Sequence, residues 1–277
     1  MLTIASLTLR EAVRRRIVLV AALATVAIVI ASAWGLARLV ASVPDRTAGL
    51  ALVSVLTIFL AFVFSVVLAL GAAFLAAPAI AGDVESGIAL AILPRPLSRA
   101  EFVLGKWLGL AALLVTYATL FGAVEVATIA LVTGYRPPHP AIALAYLVAQ
   151  SIVLLSLSLL LSTRLPPVAG GLLAVLCFGV AWIAGITANI AAALHNENVL
   201  HATTLVGLLV PSDGLWRGAL YHLQPVVLLI AANAAGGTGQ NPFGTSTPPT
   251  TAFLAWTVSW VALTLALALA SFARRDL

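Results

Sequence analysis

Long, mostly apolar stretches constrain this chain more than any other feature of its sequence. A helix needs about 20 consecutive apolar residues to cross the roughly 30 Å of hydrocarbon in a bilayer. A transmembrane β-barrel would instead show segments of about 10 residues with alternating polarity. The segments that are long enough to cross as helices are 17–41, 50–81, 104–133, 141–162, 168–193 and 252–272. They predict an all-α integral membrane protein with six transmembrane helices, in a single domain that spans residues 1–277.

The composition excludes the water-soluble classes of protein. Hydrophobic residues make up 62% of the chain and charged residues only 8%, whereas soluble domains carry about 25% charged residues. Because so few charges cannot cover a soluble fold of 277 residues, a soluble enzyme, a nucleic-acid-binding domain and a disordered chain are excluded. The lone Cys177 cannot form an intrachain disulfide, so the fold does not depend on oxidation.

The basic residues predict the orientation of the spans. If the N-terminus is cytoplasmic, 10 of the 14 Lys and Arg residues lie on the cytoplasmic side. The other four are Arg38, Arg46, Arg136 and Arg217. Since positive charge is enriched in cytoplasmic segments, this bias predicts that both termini are cytoplasmic and that the chain crosses the membrane an even number of times.

Residues 1–16 predict an amphipathic helix at the membrane surface, ahead of the first span. The apolar run that follows its basic cluster is too long for the core of a signal peptide. Arg10 and Arg14 lie off the apolar face of this helix. The residues at helical spacing on that face are Leu2, Ala5, Leu9, Ala12, Val13 and Ile17.

The connection between the second and third predicted spans is the most informative segment. Asp83, Glu85 and two glycines come first, and a short apolar helix over about 88–93 follows and is ended by two prolines. Ser98 and Glu101 then form an S-x-x-E capping box that starts the next helix. A short apolar helix outside the hydrocarbon needs a partner for its apolar face, and charges at both ends can orient that partner. An ordinary cytoplasmic hairpin, whose basic residues only follow the topology rule, explains the same spacing.

The pattern acidic-x-Glu-x-Gly, short hydrophobic helix, Pro-x-x-Arg and Gly-Lys resembles that of type-two ABC transporter permeases. The N-terminal residues resemble the interfacial elbow helix of these permeases at Arg10, Glu11, Arg14 and Arg15. Together with the six spans, the resemblance covers effectively the whole chain. It looks most like the short permeases that are encoded apart from their ATPase, a group that includes permeases of copper-site maturation systems.

The resemblance implies that residues 82–103 contain a coupling helix, which docks in a groove of a separate ATPase subunit. The residues to which it assigns ATPase coupling are Asp83, Glu85, Gly87, Ile88, Leu93, Arg95, Arg99 and Lys106. The family often has Thr at the position of Ile88, which is a departure in this chain. The family works as two permeases and two ATPases, so the resemblance implies a dimer, either homodimer or heterodimer, in the cell membrane of a prokaryote.

The implied function is that of a permease subunit that exports a hydrophobic or amphipathic substrate by ATP-driven alternating access. ATP and magnesium are expected in the partner and no cofactor in this chain. Its only Gly-Lys, Gly105-Lys106, is followed by Trp107, so the phosphate-binding pattern G-x-x-x-x-G-K-[ST] fails. An ATPase-independent secondary transporter or channel would instead predict paired broken helices and more intramembrane polar residues. A membrane-embedded enzyme would require clustered nucleophiles or ligands, and G-x-S-x-G does not occur.

Glu125 is the one acidic residue deep in a predicted span, about two turns from its outer end. An ionisable group at that depth is a functional candidate because unpaired charge in hydrocarbon is costly. It is predicted either to line the substrate pathway or to contact a cationic substrate group. A structural pair with Arg38, or a protonated and hydrogen-bonded side chain, explains its presence equally.

The extracytoplasmic segment 196–251 contains two apolar stretches, 199–210 and 226–235, that are too short to cross alone. We expect them to be interfacial or re-entrant helices. Histidines and an acidic residue in this region invite a metal-site interpretation, but their H-x-E-x-x-x-H spacing differs from H-E-x-x-H. These residues are His195, Glu197, His201 and His222, and no metal site is predicted from them.

Overall fold

The structure is a computed structural model, and it describes residues 1–14, 16–43, 46–87, 98–225 and 244–275. Several predicted features lie outside the described residues, namely Arg15, Ile88, Leu93, Arg95, the side chain of Arg14 and the stretch 226–235. Across the described ranges the chain forms helices and no β-strand. The helices are α1 Leu2–Arg14, α2 Arg16–Ser42, α3 Arg46–Glu85, α4 Arg99–Thr133, α5 Pro140–Ser162, α6 Pro167–Ala193, α7 Glu197–Leu209, α8 Ser212–Leu223 and α9 Thr251–Ala273.

Six of these helices, α2 to α6 and α9, are long and apolar enough to cross a membrane by length and composition. The prediction of an all-α protein with six spans is thereby confirmed. The helix α3 extends beyond its predicted apolar stretch to Glu85, and α4 begins at Arg99, directly after the predicted capping residue Ser98. At about 1.5 Å per residue, the 35 residues of α4 exceed the thickness of the hydrocarbon, so its ends project beyond it.

The predicted capping box at the start of α4 is confirmed. The backbone N–H of Glu101 donates to Ser98 Oγ at 3.1 Å, and the backbone N–H of Ser98 donates to Glu101 Oε2 at 3.0 Å. Two donors at the helix N-terminus are satisfied in this way without tertiary contacts. The start of α4 is therefore fixed by its own sequence.

The centre of the bundle is α5, in which half of the most apolar stretch is buried. Its Leu154, Leu155 and Leu159 are fully buried against a row of alanines on α3. Two polar contacts cross the same interface: Ser65 Oγ donates to Gln150 Oε1 at 2.9 Å, and Ser158 Oγ donates to the carbonyl of Ala73 at 2.7 Å. Small residues and interhelical hydrogen bonds of this kind are typical of helix packing in membranes.

The bundle has two different ends. We call the end that contains Met1, Arg99 and Arg275 the junction end, and the end that contains α7 and α8 the distal end. At the distal end the indole N–H groups of Trp256 and Trp260 donate to the last carbonyls of α7, at 3.0 and 2.9 Å. The α7 helix matches the predicted apolar stretch 199–210, whereas α8 was not predicted from the sequence.

Candidate functional site

At the junction end, α1 packs directly against the first turns of α4. Gly105 and Gly109 of α4 allow this close approach, since a Cβ atom on Gly109 would lie 2.9 Å from the Cβ of Thr8. The buried face of α1 consists of Ile4, Thr8 and Ala12. Two members of the apolar face predicted from spacing are exposed, and α1 therefore packs on α4 with a partly different face. These exposed members are Leu2 and Val13.

Lys106 links three helices through two carboxylates. Its Nζ lies 2.7 Å from Asp83 Oδ2 at the end of α3 and 3.6 Å from Glu11 Oε2 on α1. The side chains of Lys106 and Asp83 are only 7% and 9% exposed, while Glu11 is half exposed. The ammonium also lies 5.6 Å from the ring centroid of Phe102, within range of a cation–π interaction. We refer to Asp83, Lys106 and Glu11 as the Lys106 cluster.

The Lys106 cluster fixes where α3 and α4 leave the bundle. Removing a lysine and an aspartate from water is costly, and their attraction compensates for it only when the geometry is close. The side chains of Asp83 and Lys106 therefore face each other in the interior of the junction end and do not face its surface. This arrangement fixes the two helices on either side of residues 88–97.

Glu85 and Gly87 lie at the surface, where α3 ends. Glu85 is exposed and makes no ion pair with the described residues. Gly87 has φ +74°, and its N–H donates to the carbonyl of Val84 at 3.2 Å. A residue with a Cβ is strained at this left-handed φ, which makes glycine the favoured residue for ending α3.

Arginines at the junction end cap helix C-termini. Arg99 Nη1 donates to the carbonyls of Phe272, Ala273 and Arg275 at 3.1, 3.0 and 2.7 Å. Arg275 Nη1 in turn donates to the carbonyl of Thr163, at the end of α5, at 2.7 Å. Cations at these positions satisfy unpaired carbonyls and oppose the negative end of the helix dipole.

The sequence did not predict this capping role for Arg164 and Arg275. Arg164 Nε donates to Ser271 Oγ at 3.0 Å, and its Nη2 donates to the Ser271 carbonyl at 3.1 Å. The available signal was the position of each arginine within about one turn of a predicted span end. Arg10, by contrast, is exposed on α1.

Glu125 lies on α4, about two turns before the helix ends at Thr133 and away from the Lys106 cluster. Both carboxylate oxygens are buried, and neither has a hydrogen-bond partner with good geometry among the described residues. Ser32 of α2 is the polar side chain next to it, but the Ser32 hydroxyl donates to the Val29 carbonyl at 2.9 Å. The predicted alternative of a pair with Arg38 is wrong, because Arg38 lies over the Trp34 ring, 5.7 Å from its centroid, and forms no ion pair with Glu125.

The histidines at the distal end are dispersed. His195, Glu197 and His201 are exposed, and the part of the chain described by the structure contains no group of three or more His, Cys, Asp or Glu residues that could hold a metal ion. His222 instead stacks on Tyr146, with ring centroids 5.7 Å apart. Burial, and to a smaller degree the charge of His139, lower the pKa of His222 below its ordinary value.

Comparison with known proteins gives one family assignment. A family model described as "ABC-2 family transporter protein" matches residues 2–277. No curated protein matches the chain.

Proposed function

Because the chain belongs to the ABC-2 family of transporter proteins, we propose that it is the permease of an exporter that a separate ATPase subunit powers. The family supplies the membrane transport component, and six helices of this chain are long and apolar enough to cross a membrane. The proposed cargo is a hydrophobic or amphipathic compound, in keeping with an interior that is mostly apolar. The ATPase partner would hold ATP and magnesium, while two permease copies would enclose the pathway.

The main observation in favour of this proposal is how the residues at the junction end fix the two ends of the segment 88–97. Residues 88–97 are bracketed by Gly87, which ends α3, and by the Ser98 capping box, which starts α4. Behind both ends, the Lys106 cluster ties α3 and α4 to α1. A partner that pushes on the bracketed segment would therefore move three helices together.

The charge distribution supports a cytoplasmic junction end. Of the basic residues that the structure describes, Arg99, Lys106, Arg164 and Arg275 make their contacts at the junction end, whereas Arg136 and Arg217 lie at the distal end. Positive charge close to span ends favours the cytoplasmic side. A soluble ATPase would then have access to Glu85 and to the segment beside it.

Capture of the ATPase tests this proposal. The tagged chain, solubilised in mild detergent, should co-purify with a soluble protein that hydrolyses ATP. Reversing the exposed charge with Glu85→Arg should weaken capture, and Gly87→Ala should do the same through strain at a left-handed φ. Glu197→Arg is the matched control, because Glu197 is an equally exposed carboxylate at the distal end. Undiminished capture by both junction variants would contradict the placement of the coupling site, and no capture at all would contradict ATPase dependence.

Glu125 favours a second candidate, a secondary transporter or channel that needs no ATPase. A buried carboxylate that has no hydrogen-bond partner of good geometry among the described residues is the kind of group that couples ion movement in a membrane. Purified chain in sealed vesicles should then move cargo without nucleotide. If Glu125 lines the pathway, Glu125→Gln should lower transport by the assembled protein and leave assembly intact, whereas loss of assembly would indicate a structural role.

A further inference from the structure

A large cavity lies at the distal end, between α3, α6 and α8. Its volume of about 500 Å³ falls within the range of roughly 300–1,000 Å³ that is typical of ligand sites. Four aromatic side chains, Phe59, Phe62, Trp182 and Trp216, line it. Phe62 stacks on Trp182 with ring centroids 5.2 Å apart and meets Trp216 edge-on at 5.5 Å. These contacts hold the wall in a fixed shape.

The cavity opens sideways through α3. Val55 and Phe59 line it and are 57% and 59% exposed. Both lie within Leu52–Glu85, a helix long and apolar enough to cross a membrane, so their exposed surfaces are available to a lipid chain in the bilayer. From Val55 to Phe62 the wall extends by about 10 Å along the helix axis. A ligand could therefore reach the cavity from the bilayer without passing through water.

One ion pair, Asp213 with Arg217, provides the charged groups among the described lining residues. Arg217 Nε lies 2.6 Å from Asp213 Oδ2, and Arg217 Nη1 donates to Asn189 Oδ1 at 3.0 Å. Asp213 is buried against Gly185, at which any added Cβ would collide with the carboxylate. Arg217 is the more accessible partner, with a side chain that is 20% exposed.

Among the contacts that the structure describes, the guanidinium of Arg217 keeps donor capacity for a ligand. Arginine carries five N–H donors, and among the described residues the hydrogen bonds of Arg217 use Nε and Nη1. Arg217 contacts Asn189, about one turn before α6 ends at Ala193. The guanidinium therefore lies near the distal ends of the spans, where the headgroup of an amphiphile would lie. An incoming cation would meet the guanidinium before the buried Asp213, which disfavours cationic ligands.

We propose that this cavity binds an anionic amphiphile. Its carboxylate or phosphate accepts hydrogen bonds from Arg217. Its apolar chain lies along the aromatic wall and extends out of the cavity between Val55 and Phe59. Arginine matches the planar, two-oxygen geometry of these anions. The inference goes beyond the proposed function, because binding at this site needs neither an ATPase nor transport.

Native mass spectrometry of the purified full-length chain tests the proposal. With equal amounts of phosphatidylglycerol and phosphatidylcholine in the micelles, the chain should retain phosphatidylglycerol preferentially. A single Arg217 substitution would leave Asp213 buried without a partner, so the test uses the double variant Asp213→Asn/Arg217→Gln. Its preference for phosphatidylglycerol should fall about tenfold, as expected for losing one charge-assisted hydrogen bond. Arg136→Gln is the matched control, since Arg136 is a distal-end arginine that does not line the cavity.

A second variant separates the apolar part of the site from the charged part. Ile186→Trp adds volume to a lining residue and should reduce retention of both lipids without altering the ion pair. If the double variant fails to fold, Ile186→Trp decides the proposal. Inorganic phosphate alone should not compete, because it cannot use the aromatic wall.

Equal retention of the two lipids by the wild-type chain would overturn the proposal. So would an unchanged lipid preference in the folded double variant, or full retention by Ile186→Trp. Competition by inorganic phosphate at the same concentration as the lipid would show an anion site and not an amphiphile site, and would also overturn it. None of these results bears on ATPase capture, which depends on the junction end.

Discussion

The ion pair between Lys106 and Asp83 gives the sharpest test of how the junction end is held together. Its charged atoms lie 2.7 Å apart, with both side chains less than 10% exposed. At an effective dielectric constant of about 20, charges at that distance attract by about 6 kcal/mol. Desolvation offsets much of this attraction. Lys106→Met should nevertheless cost about 3–5 kcal/mol, because Asp83 then stays buried without a counter-charge. Asp83→Asn should cost less, because Glu11 still lies 3.6 Å from the ammonium of Lys106.

A double-mutant cycle isolates the pair. The free energy of unfolding is measured for wild type, both single variants and the double variant Asp83→Asn/Lys106→Met, in the same detergent and by denaturant titration. Because the double variant leaves no buried charge unpaired, its loss should be smaller than the sum of the single losses by about 2–3 kcal/mol. Lys106→Arg is the matched control, since it keeps the positive charge.

The result that would refute this reasoning is additivity. If the single losses sum to the double loss within about 0.5 kcal/mol, the two charges do not stabilise each other. Glu11 does not supply the same stabilisation as Asp83, because its Oε2 lies 3.6 Å from Lys106 Nζ and its side chain is half exposed. An exposed pair of this kind contributes at most about 1 kcal/mol.

Three further predictions follow from other contacts. Gly109→Ala should lower the free energy of unfolding by about 1–3 kcal/mol because the added Cβ pushes α1 away. Gly71→Ala is the control, because nothing lies within 4 Å of its added Cβ. Both free energies are measured by unfolding in detergent, and equal losses would contradict the close approach of α1 to α4. Arg99→Gln should expose the C-terminus of α9 to carboxypeptidase, read by mass spectrometry, and an unchanged digestion rate would contradict the capping role. Burial and the charge of His139 lower the pKa of His222 below 6.5, so the unfolded chain binds this proton more readily and stability should fall as the pH decreases from 6.5 towards the pKa of the folded chain. His222→Gln should flatten the melting-temperature profile between about pH 7.5 and 5.5, and an unchanged profile would exclude this histidine as the cause.

The spans could be predicted from the sequence because the bilayer sets one length for every crossing helix. Their ends could not be predicted in the same way, since charge decides them through tertiary partners. Asp83 continues the second span only because Lys106, from another helix, is buried beside it. The start of α4 needed no such partner, and the Ser98 capping box predicted it directly.

The helix α8 was missed for a related reason. Asp213, Arg217 and His222 interrupt the apolar pattern of this region, yet all three are part of one helix. The signal that was available is the i,i+4 spacing of Asp213 and Arg217, which places opposite charges on the same helix face. Hydrophobicity alone does not detect a helix whose polar side chains are buried against each other.

The face of α1 that packs against α4 is partly different from the apolar face that its periodicity predicts at the membrane surface. In a soluble protein the most apolar face of a helix is buried, but lipid is as apolar as a protein interior and exerts no such preference. Leu2 and Val13 are therefore left exposed, while Thr8 and Ala12 pack against α4. Small residues decide this interface because they allow the backbones to approach closely.

The position of the Lys106 cluster argues for a role beyond stability. A buried ion pair usually stabilises a protein no more than well-packed apolar residues would, and apolar residues are abundant in this chain. An ion pair differs in being selective for geometry. Sliding α3 against α4 by one turn, about 5.4 Å, would separate Lys106 from Asp83, whereas apolar side chains would find new contacts. Under the proposed function, a force that the ATPase applies to residues 88–97 would move α1, α3 and α4 as one unit, because this ion pair prevents the helices from sliding past one another.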